Sequence, residues 1–348
     1  MRRFVFILAT IALLGIFGAG LGGLHVYAVL QKPLAVDGYT QLLVNTGGSV
    51  SSVARDLKAR AILPSSLYFR LYARLTQQTQ IKAGEYSINE SDTAISLLNK
   101  LNRGDVVVYH LTLVEGWTFK QALNYLHTLE KLKTTLDTDE ALQPFIDQLG
   151  LENNYPEGWF FPDTYQYSAT NSDADILKLA HHRMQDTLAT EWASRDVGLP
   201  YETPYQALIM ASIVEKETGV ETERQQIAGV FIRRLQKNMR LQTDPTVIYG
   251  LGESFDGNLR RKHLAENTPY NTYVIRGLPP TPIALPGRDA IFAALHPDAS
   301  NNLYFVAKGD GSHYFSETLE EHNEAVRNFQ VLRRNQDYRS SPSPEVNP

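Results

Sequence analysis

The feature that most constrains this chain is an uninterrupted apolar run at its N-terminus. Residues 4–31 contain no Asp, Glu, Lys or Arg, and His25 is their only side chain that ordinarily ionises near neutral pH. A helix needs about 20 apolar residues to cross a bilayer, so the run is long enough to span one. Arg2 and Arg3 precede it and Lys32 follows it. This charge distribution predicts a cytoplasmic N-terminus and an extracytoplasmic remainder.

A cleaved signal peptide is the competing interpretation of this segment. The glycines at its end would suit a peptidase, but there is no clear A-x-A site and the apolar run is long. We therefore favour an anchor that stays attached. The G-x-G-x-x-G spelled by residues 18–23 is not a nucleotide-binding motif, because it lies within this span with no strand before it.

Composition narrows the chemistry open to the rest of the chain. Its 348 residues include no cysteine, which excludes thiol nucleophiles, disulfides and Cys-type metal sites. A formal net charge of -5 argues against nucleic-acid binding, which needs a basic face. The histidines are scattered, and His181 and His182 would point to different faces of one helix. We expect no metal and no other cofactor, which leaves carboxylates as the candidate catalytic groups.

The pattern after the anchor predicts an α+β protein of about two domains. Residues 1–3 are the expected cytoplasmic N-terminus, 4–31 the transmembrane helix and 32–40 a linker. A small α+β module follows at 41–113, then a larger mixed α+β domain at 114–335. The Ser/Pro-rich residues 336–348 predict a disordered tail.

Within these regions the periodicity predicts individual elements. Strands are expected at 41–44, 106–113 and 303–307. Helices are expected at 49–59, 67–75, 92–101 (capped by Ser91 or Asp92), 118–150, 173–195, 207–218, 221–237 and 319–332. Residues 242–287, rich in Pro, Gly and Tyr, predict ordered loops. Their amide, hydroxyl and aromatic side chains suit a saccharide, although turns containing core tyrosines would have the same composition.

One glutamate stands out on the predicted helix at 207–218, within the segment 204–217. At about 100° per residue, Glu217 lies within about 40° of Gln206, Met210 and Ile213, so it continues the face turned to the core. Glu215 lies about 160° away and cannot share its site. An apolar wall would raise the pKa of Glu217 and keep its proton at neutral pH, as protonation of a glycosidic oxygen requires.

A less specific interpretation of Glu217 also fits the pattern. Glutamates near a helix end commonly pair with a base, here Lys216 or Arg224. The helical spacing alone does not separate an ion pair from a catalytic acid.

Several uncommon blocks occur in a fixed order. They are P-E-G-W-F-F-P-D-T-Y (156–165), A-S-I-V-E-K-E-T (211–218), M-R-L-Q-T-D-P-T-V-I-Y-G (239–250), Y-N-T-Y (270–273), G-L-P-P-x-P-I (277–283) and L-Y-F-V-A (303–307). In these blocks the chain resembles the YceG-like family of endolytic murein transglycosylases. The resemblance covers essentially everything after Gln31.

This resemblance implies a catalytic residue, a substrate and a module. The second glutamate of E-K-E, Glu217, would be catalytic, and residues 41–113 would be a LysM-like module. The substrate would be the peptidoglycan glycan strand, cut between N-acetylmuramic acid and N-acetylglucosamine with formation of a 1,6-anhydro ring. A single carboxylate would serve as acid and then base, unlike a lysozyme pair. The candidates for holding the sugar are Gln242, Asp244, Thr246, Tyr249, Asn271 and Tyr273.

The implied location is the inner membrane, with the catalytic domain in the periplasm and wall-synthesis proteins as candidate partners. Two alternatives stay open. One is a lysozyme-type hydrolase with Asp244 as second carboxylate; the other is a non-catalytic glycan-binding scaffold. A pyridoxal-phosphate lyase is disfavoured, because no Gly-rich phosphate loop accompanies Lys216.

Overall fold

The computed structural model describes residues 2–332, which form two compact units. The N-terminal unit comprises the residues up to His110 together with Lys131–Lys133 and Gln166–Asn171. The C-terminal unit comprises Leu111–Glu130, Thr134–Tyr165 and the described chain from Ser172 onward. Both mix helices with strands, and the predicted α+β class is confirmed. The tail predicted at 336–348 lies outside the described residues.

The N-terminal apolar run is one helix, α1, Arg2–Leu30. Its segment Phe6–Leu30 is long and apolar enough to cross a membrane, and its side chains are exposed along most of that length. The helix therefore fits a transmembrane anchor. Its last residue differs from the rest, because Leu30 is fully buried in the apolar core of the N-terminal unit. Just beyond it, the Leu34 amide donates to the Asp92 carbonyl at 2.7 Å.

The N-terminal unit packs three helices against a two-stranded sheet. Its elements are β1 Tyr39–Val44, α2 Val50–Ala59, α3 Ser66–Leu75, β2 Gly84–Asn89 and α4 Ala94–Arg103. The strands β1 and β2 are antiparallel, with Tyr39 opposite Asn89 and Val44 opposite Gly84. Alternation along the strands and helical spacing in α2 and α4 place their Leu, Ile and Val side chains in one core.

The cap of α4 differs from the prediction. Thr93 is the N-cap, with its hydroxyl accepting from the Ser96 amide. Asp92 is unavailable for capping because its carboxylate binds Lys100 at 2.6 Å and the Asn89 amide at 2.8 Å. The helix ends at Arg103, two residues beyond the predicted end, and Gly104 then takes the left-handed conformation, φ 83°, that closes many helices.

The rest of the described chain is mostly helical. Its elements are β3 Tyr109–Thr112, α5 Phe119–His127, α6 Asp139–Leu149, β4 Thr164–Tyr167, α7 Asp173–Ala193, α8 Pro204–Glu217, α9 Arg224–Gln236, α10 Asp244–Leu251, α11 Arg261–Ala265, α12 Arg288–Leu295, β5 Tyr304–Ala307, β6 His313–Ser316 and α13 Leu319–Val326. Strand β3 pairs with β4, and β5 pairs with β6. A single π-helical turn, Arg327–Leu332, follows α13.

Helix α8 forms the centre of the C-terminal unit. Thr203 caps it by accepting from the Gln206 amide, and Pro204 occupies the first turn, where its missing N–H costs nothing. Every residue from Ala207 to Val214 is buried, so the helix is apolar on all sides. It packs against α7, α9, α10 and α12. Its charged residues are confined to its C-terminal end, which is thereby held on a rigid support.

Three element predictions were wrong. The Pro-rich loops at 242–287 contain α10 and α11, because Pro245 sits in the first turn of α10, where proline is compatible with a helix. The helix predicted over 118–150 is divided into α5 and α6. Between them Asp173 accepts from the Thr135 and Leu136 amides at 3.0 Å and fixes a turn. The strand predicted at 106–113 begins only at Tyr109.

Candidate active site

Glu217 is the last residue of α8, and its carboxyl accepts a hydrogen bond from the Thr243 hydroxyl. The residue as a whole keeps some solvent exposure, but its carboxyl group is packed against protein. Burial raises the pKa of Glu217 to about 7, the Thr243 bond and the Arg234 charge oppose the rise, and the Asp244 charge adds to it. Glu217 is therefore a carboxyl group that exchanges its proton near neutral pH.

Thr243 was missed by the sequence analysis, which considered only its neighbours. It precedes α10 at the N-cap position, yet its side chain makes no capping bond and donates to Glu217 instead. Its backbone amide donates to the Thr272 hydroxyl at 3.0 Å, and Thr272 in turn lies 2.9 Å from the Thr246 hydroxyl. Recognising D-P-T as a helix start would have identified Thr243 as a special position.

Arg234 was missed as well. It is buried, and it donates to the Leu241 and Leu303 carbonyls at 2.7 Å. Among the described residues no carboxylate forms an ion pair with it, so its charge is only partly compensated. The guanidinium fixes the backbone just before Thr243, and its charge lowers the pKa of Glu217.

Three of the predicted sugar-binding residues lie beside Glu217. Gln242 and Asp244 are exposed on either side of Thr243, and Gln242 takes a left-handed conformation with φ 57°. The Tyr273 hydroxyl donates to Asp244 at 2.6 Å. Burial raises the pKa of Tyr273, and the charges of Asp244 and Glu217 raise it further, so the three side chains share one electrostatic environment.

The other three predicted residues have different surroundings. Thr246 and Asn271 are fully buried and bond to protein, Asn271 donating to the His263 and Glu266 carbonyls. We therefore assign them to the support of the loops rather than to contact with a sugar. Tyr249 is partly buried and donates to Glu157 at 3.0 Å.

Two further glutamates have a pKa raised like that of Glu217 but lie at other positions in the structure. Burial raises the pKa of Glu157 to about 7, against hydrogen bonds from Phe119 and Tyr249. Burial also raises the pKa of Glu215 to about 7, although it accepts from the Gly287 amide at 2.9 Å. Glu215 and Glu217 thus have separate partners, as the helical geometry predicts.

The two basic residues considered as ion-pair partners of Glu217 contact other groups. Lys216 donates to the Gly116 carbonyl at 3.1 Å. Arg224 lies 3.9 Å from Glu215 and 3.7 Å from Asp289. Within residues 2–332, no group of three His, Asp or Glu side chains is placed to hold a metal ion. The class defined by this geometry is an α+β protein with one acid–base carboxyl at the end of a central helix, beside polar loops.

The comparisons identify the family. The profile of the YceG-like family matches residues 42–328, and the chain belongs to that family. A Bacillus subtilis (strain 168) protein named endolytic murein transglycosylase is 33% identical over 336 residues, covering 89% of this chain and 91% of that protein.

Two more relatives agree with this assignment. A Streptococcus pneumoniae serotype 2 (strain D39 / NCTC 7466) protein of the same name is 27% identical over 357 residues, covering 92% of this chain. This chain spans 64% of that protein's length. The crystal structure of a YceG-like protein from Listeria monocytogenes superposes with a TM-score of 0.51 at 31% identity, covering 83% of this chain and 99% of that one.

Proposed function

We propose that this protein is a membrane-anchored endolytic transglycosylase of peptidoglycan, a lyase in which Glu217 is the catalytic residue. The observation that carries the proposal is the carboxyl group of Glu217, whose pKa is raised to about 7 and which Thr243 orients. The names of the Bacillus and Streptococcus relatives support the substrate.

The first step is general acid catalysis. At neutral pH a pKa of about 7 leaves about half of Glu217 protonated. Glu217 donates this proton to the oxygen that links N-acetylmuramic acid to N-acetylglucosamine. The bond from C1 to that oxygen then breaks, and the departing sugar leaves with a new hydroxyl group.

The second step uses the same group as a base. The muramic acid C6 hydroxyl attacks C1, its proton passes to the Glu217 carboxylate, and the 1,6-anhydro ring closes. The acid form of Glu217 is restored and no water is consumed. Because the attack is intramolecular, it needs orientation rather than a second carboxylate. Thr243 keeps the carboxylate in place through both transfers, while Gln242, Asp244 and Tyr273 contact the sugar.

The proposal places the reaction at a membrane. Helix α1 anchors the chain in the inner membrane with the N-terminus in the cytoplasm, and the rest lies in the periplasm. Residues 41–113 act as the LysM-like module and 114–335 as the catalytic domain, within reach of wall-synthesis proteins. The charge distribution around α1 supports this orientation.

The test compares two glutamates of one helix. The full chain in detergent is incubated with peptide-free glycan strands, and the products are weighed by mass spectrometry. Glu217→Gln is expected to slow formation of anhydro ends by about 10³-fold, within the range of general acid catalysis. Glu215→Gln is the matched control, because it changes the same group type with a similarly raised pKa. It should stay within a few-fold of wild type.

Other outcomes assign other functions. Equal activity in both variants means that Glu217 is not catalytic. Products with reducing ends indicate a hydrolase, in which case Asp244→Asn becomes the decisive variant. Strands that bind but are never cut by the wild type indicate a scaffold.

A further inference from the structure

A cavity of about 490 Å³ opens on the C-terminal unit away from Glu217. This volume lies in the range of roughly 300–1,000 Å³ that small-molecule sites occupy. Its wall includes Asn153, Thr203, Tyr205, Gln206 and the loop 277–280. None of these residues takes part in the catalytic steps described above, so the cavity needs its own explanation.

One polar group in the wall is buried without a well-formed hydrogen bond. Tyr205 is 4% exposed, and its hydroxyl makes no hydrogen bond of good geometry with any residue that the structure describes. The ring is held in place by stacking on Trp159, with centroids 5.6 Å apart and planes 9° apart. The exposed Asn153 lies beside the hydroxyl and partly offsets the rise that burial causes in the Tyr205 pKa. Burying a hydroxyl without a well-formed hydrogen bond is unfavourable, and a hydroxylic ligand that reached it would recover this cost.

The remaining lining indicates the class of ligand. The side-chain carbonyl of Gln206 accepts from the Glu202 amide at 2.6 Å, and its amide nitrogen has no protein partner among the described residues. Amides, a hydroxyl and an aromatic ring surround the space, Glu152 is its charged residue, and no Lys or Arg lines it. This combination favours a neutral polyhydroxy ligand over an anion.

The cavity and Glu217 are linked by one loop. It runs from Tyr273, beside Glu217, to Gly277, in the cavity wall. Gln206 and Glu217 lie about 16 Å apart along the axis of α8, and the residues between them are buried. A polymer that follows the loop, rather than the buried helix, would reach both.

We propose that this cavity is a remote saccharide subsite, which holds an N-acetylated sugar of the same glycan strand a few sugar units from the bond being cut. The proposal rests on the proposed function for the identity of the strand. It predicts that affinity rises when the strand becomes long enough to reach from Glu217 to the cavity.

The test measures binding without cleavage. The full chain carrying Glu217→Gln is titrated with peptide-free glycan strands of increasing length. Affinity should rise about tenfold once the strand reaches the cavity, as a few net hydrogen bonds permit. Adding Tyr205→Phe or Gln206→Ala should remove most of this gain, whereas the control Gln185→Ala, on the exposed side of α7, should retain it. Thermal melting of Tyr205→Phe should match or exceed that of its parent, because only a hydroxyl without a well-formed hydrogen bond is lost.

A gain with length that survives both cavity variants overturns the proposal, as does an affinity independent of length. Cleavage by the wild type is measured separately. If the wild type cuts strands while the length effect is missing, the proposed subsite is refuted and the proposed enzymatic function is supported. If the variants abolish the length effect but the wild type cuts nothing, the subsite stands and the catalytic assignment fails.

Discussion

Two buried carboxyl groups of the N-terminal unit and three of the C-terminal unit differ in their partners. In the N-terminal unit, Glu85 accepts from Lys131 at 2.8 Å and Asp92 from Lys100 at 2.6 Å. Burial alone would raise the pKa of each, but the hydrogen bonds and the lysine charges outweigh it, and both pKa values are lowered. These acids stay ionised and hold the fold together.

In the C-terminal unit the hydrogen bonds to three glutamates come from neutral groups. Glu157 accepts from an amide and a tyrosine, Glu215 from an amide, and Glu217 from a threonine. Nearby cations lower the pKa of each only slightly, burial dominates, and each pKa rises to about 7. Among these five groups a charged partner separates the structural anions from the proton donors, and position then decides which donor meets a substrate. Asp173 of the C-terminal unit is the counterexample, because several hydrogen bonds from neutral groups outweigh its burial and lower its pKa.

The largest expected effect follows from removing the neutral partner of Glu217. Thr243→Val should lower kcat by about 10²-fold, or about 2.7 kcal/mol of activation free energy, because the carboxylate loses its orientation. The Thr243 bond lowers the pKa of Glu217, so the variant should also retain its protonated form to higher pH. The high-pH limb of the rate profile should move upward. Thr243→Ser should behave like wild type; an unchanged profile in Thr243→Val would refute the role of the hydroxyl.

The second effect concerns stability against pH. A carboxyl whose folded pKa is raised from 4.5 to about 7 binds its proton more tightly when folded. The unfolding free energy should therefore fall as pH rises from about 4.5 to about 7 and then level off. Glu217→Gln should remove about 2 kcal/mol of this decline, discounted for partial exposure. Urea unfolding at both ends of the window measures it; an identical slope in the variant would contradict the raised pKa.

The smallest effect concerns the N-terminal unit, where a lysine is the charged partner of a buried carboxylate. Lys100→Met leaves Asp92 with its amide and serine donors but no cation, and should cost about 1 kcal/mol at neutral pH. A lowered folded pKa stabilises above the unfolded value and loses that effect as pH falls. The difference between variant and wild type should therefore shrink on acidification, in the direction opposite to Glu217→Gln. A loss that grows on acidification would show that the lysine acts by packing alone.

The sequence sufficed where local pattern and burial agree. The helix predicted over 207–218 is α8, which begins three residues earlier at Pro204 and ends at Glu217, since its apolar run is long enough to indicate a helix. The helical angle also separated Glu217 from Glu215. These arguments use only the geometry of one element, which its own residues determine.

The rest depended on contacts between distant residues. Thr243 meets Glu217 across 26 positions, and Arg234 reaches Leu303 across 69. Neither residue type is unusual where it stands. Thr246 and Asn271 have the composition of sugar-binding residues, but only packing reveals that they are buried. The short strands β4 and β6 likewise exist because a partner strand is nearby, which periodicity over four residues does not disclose.

The burial of Leu30 has a mechanical consequence. Phe6–Leu30 spans 25 residues, or about 37 Å of helix, whereas the hydrocarbon layer needs about 30 Å. The excess is about one turn, and that turn is the part clamped in the core of the N-terminal unit, with Leu34 tied to Asp92 directly after it. With the helix in a bilayer, the anchor is a rigid connection to the N-terminal unit rather than a flexible tether. Its length sets the height of the N-terminal unit above the membrane. A glycine inserted after Leu30 would make that height variable without reducing the stability of the unit.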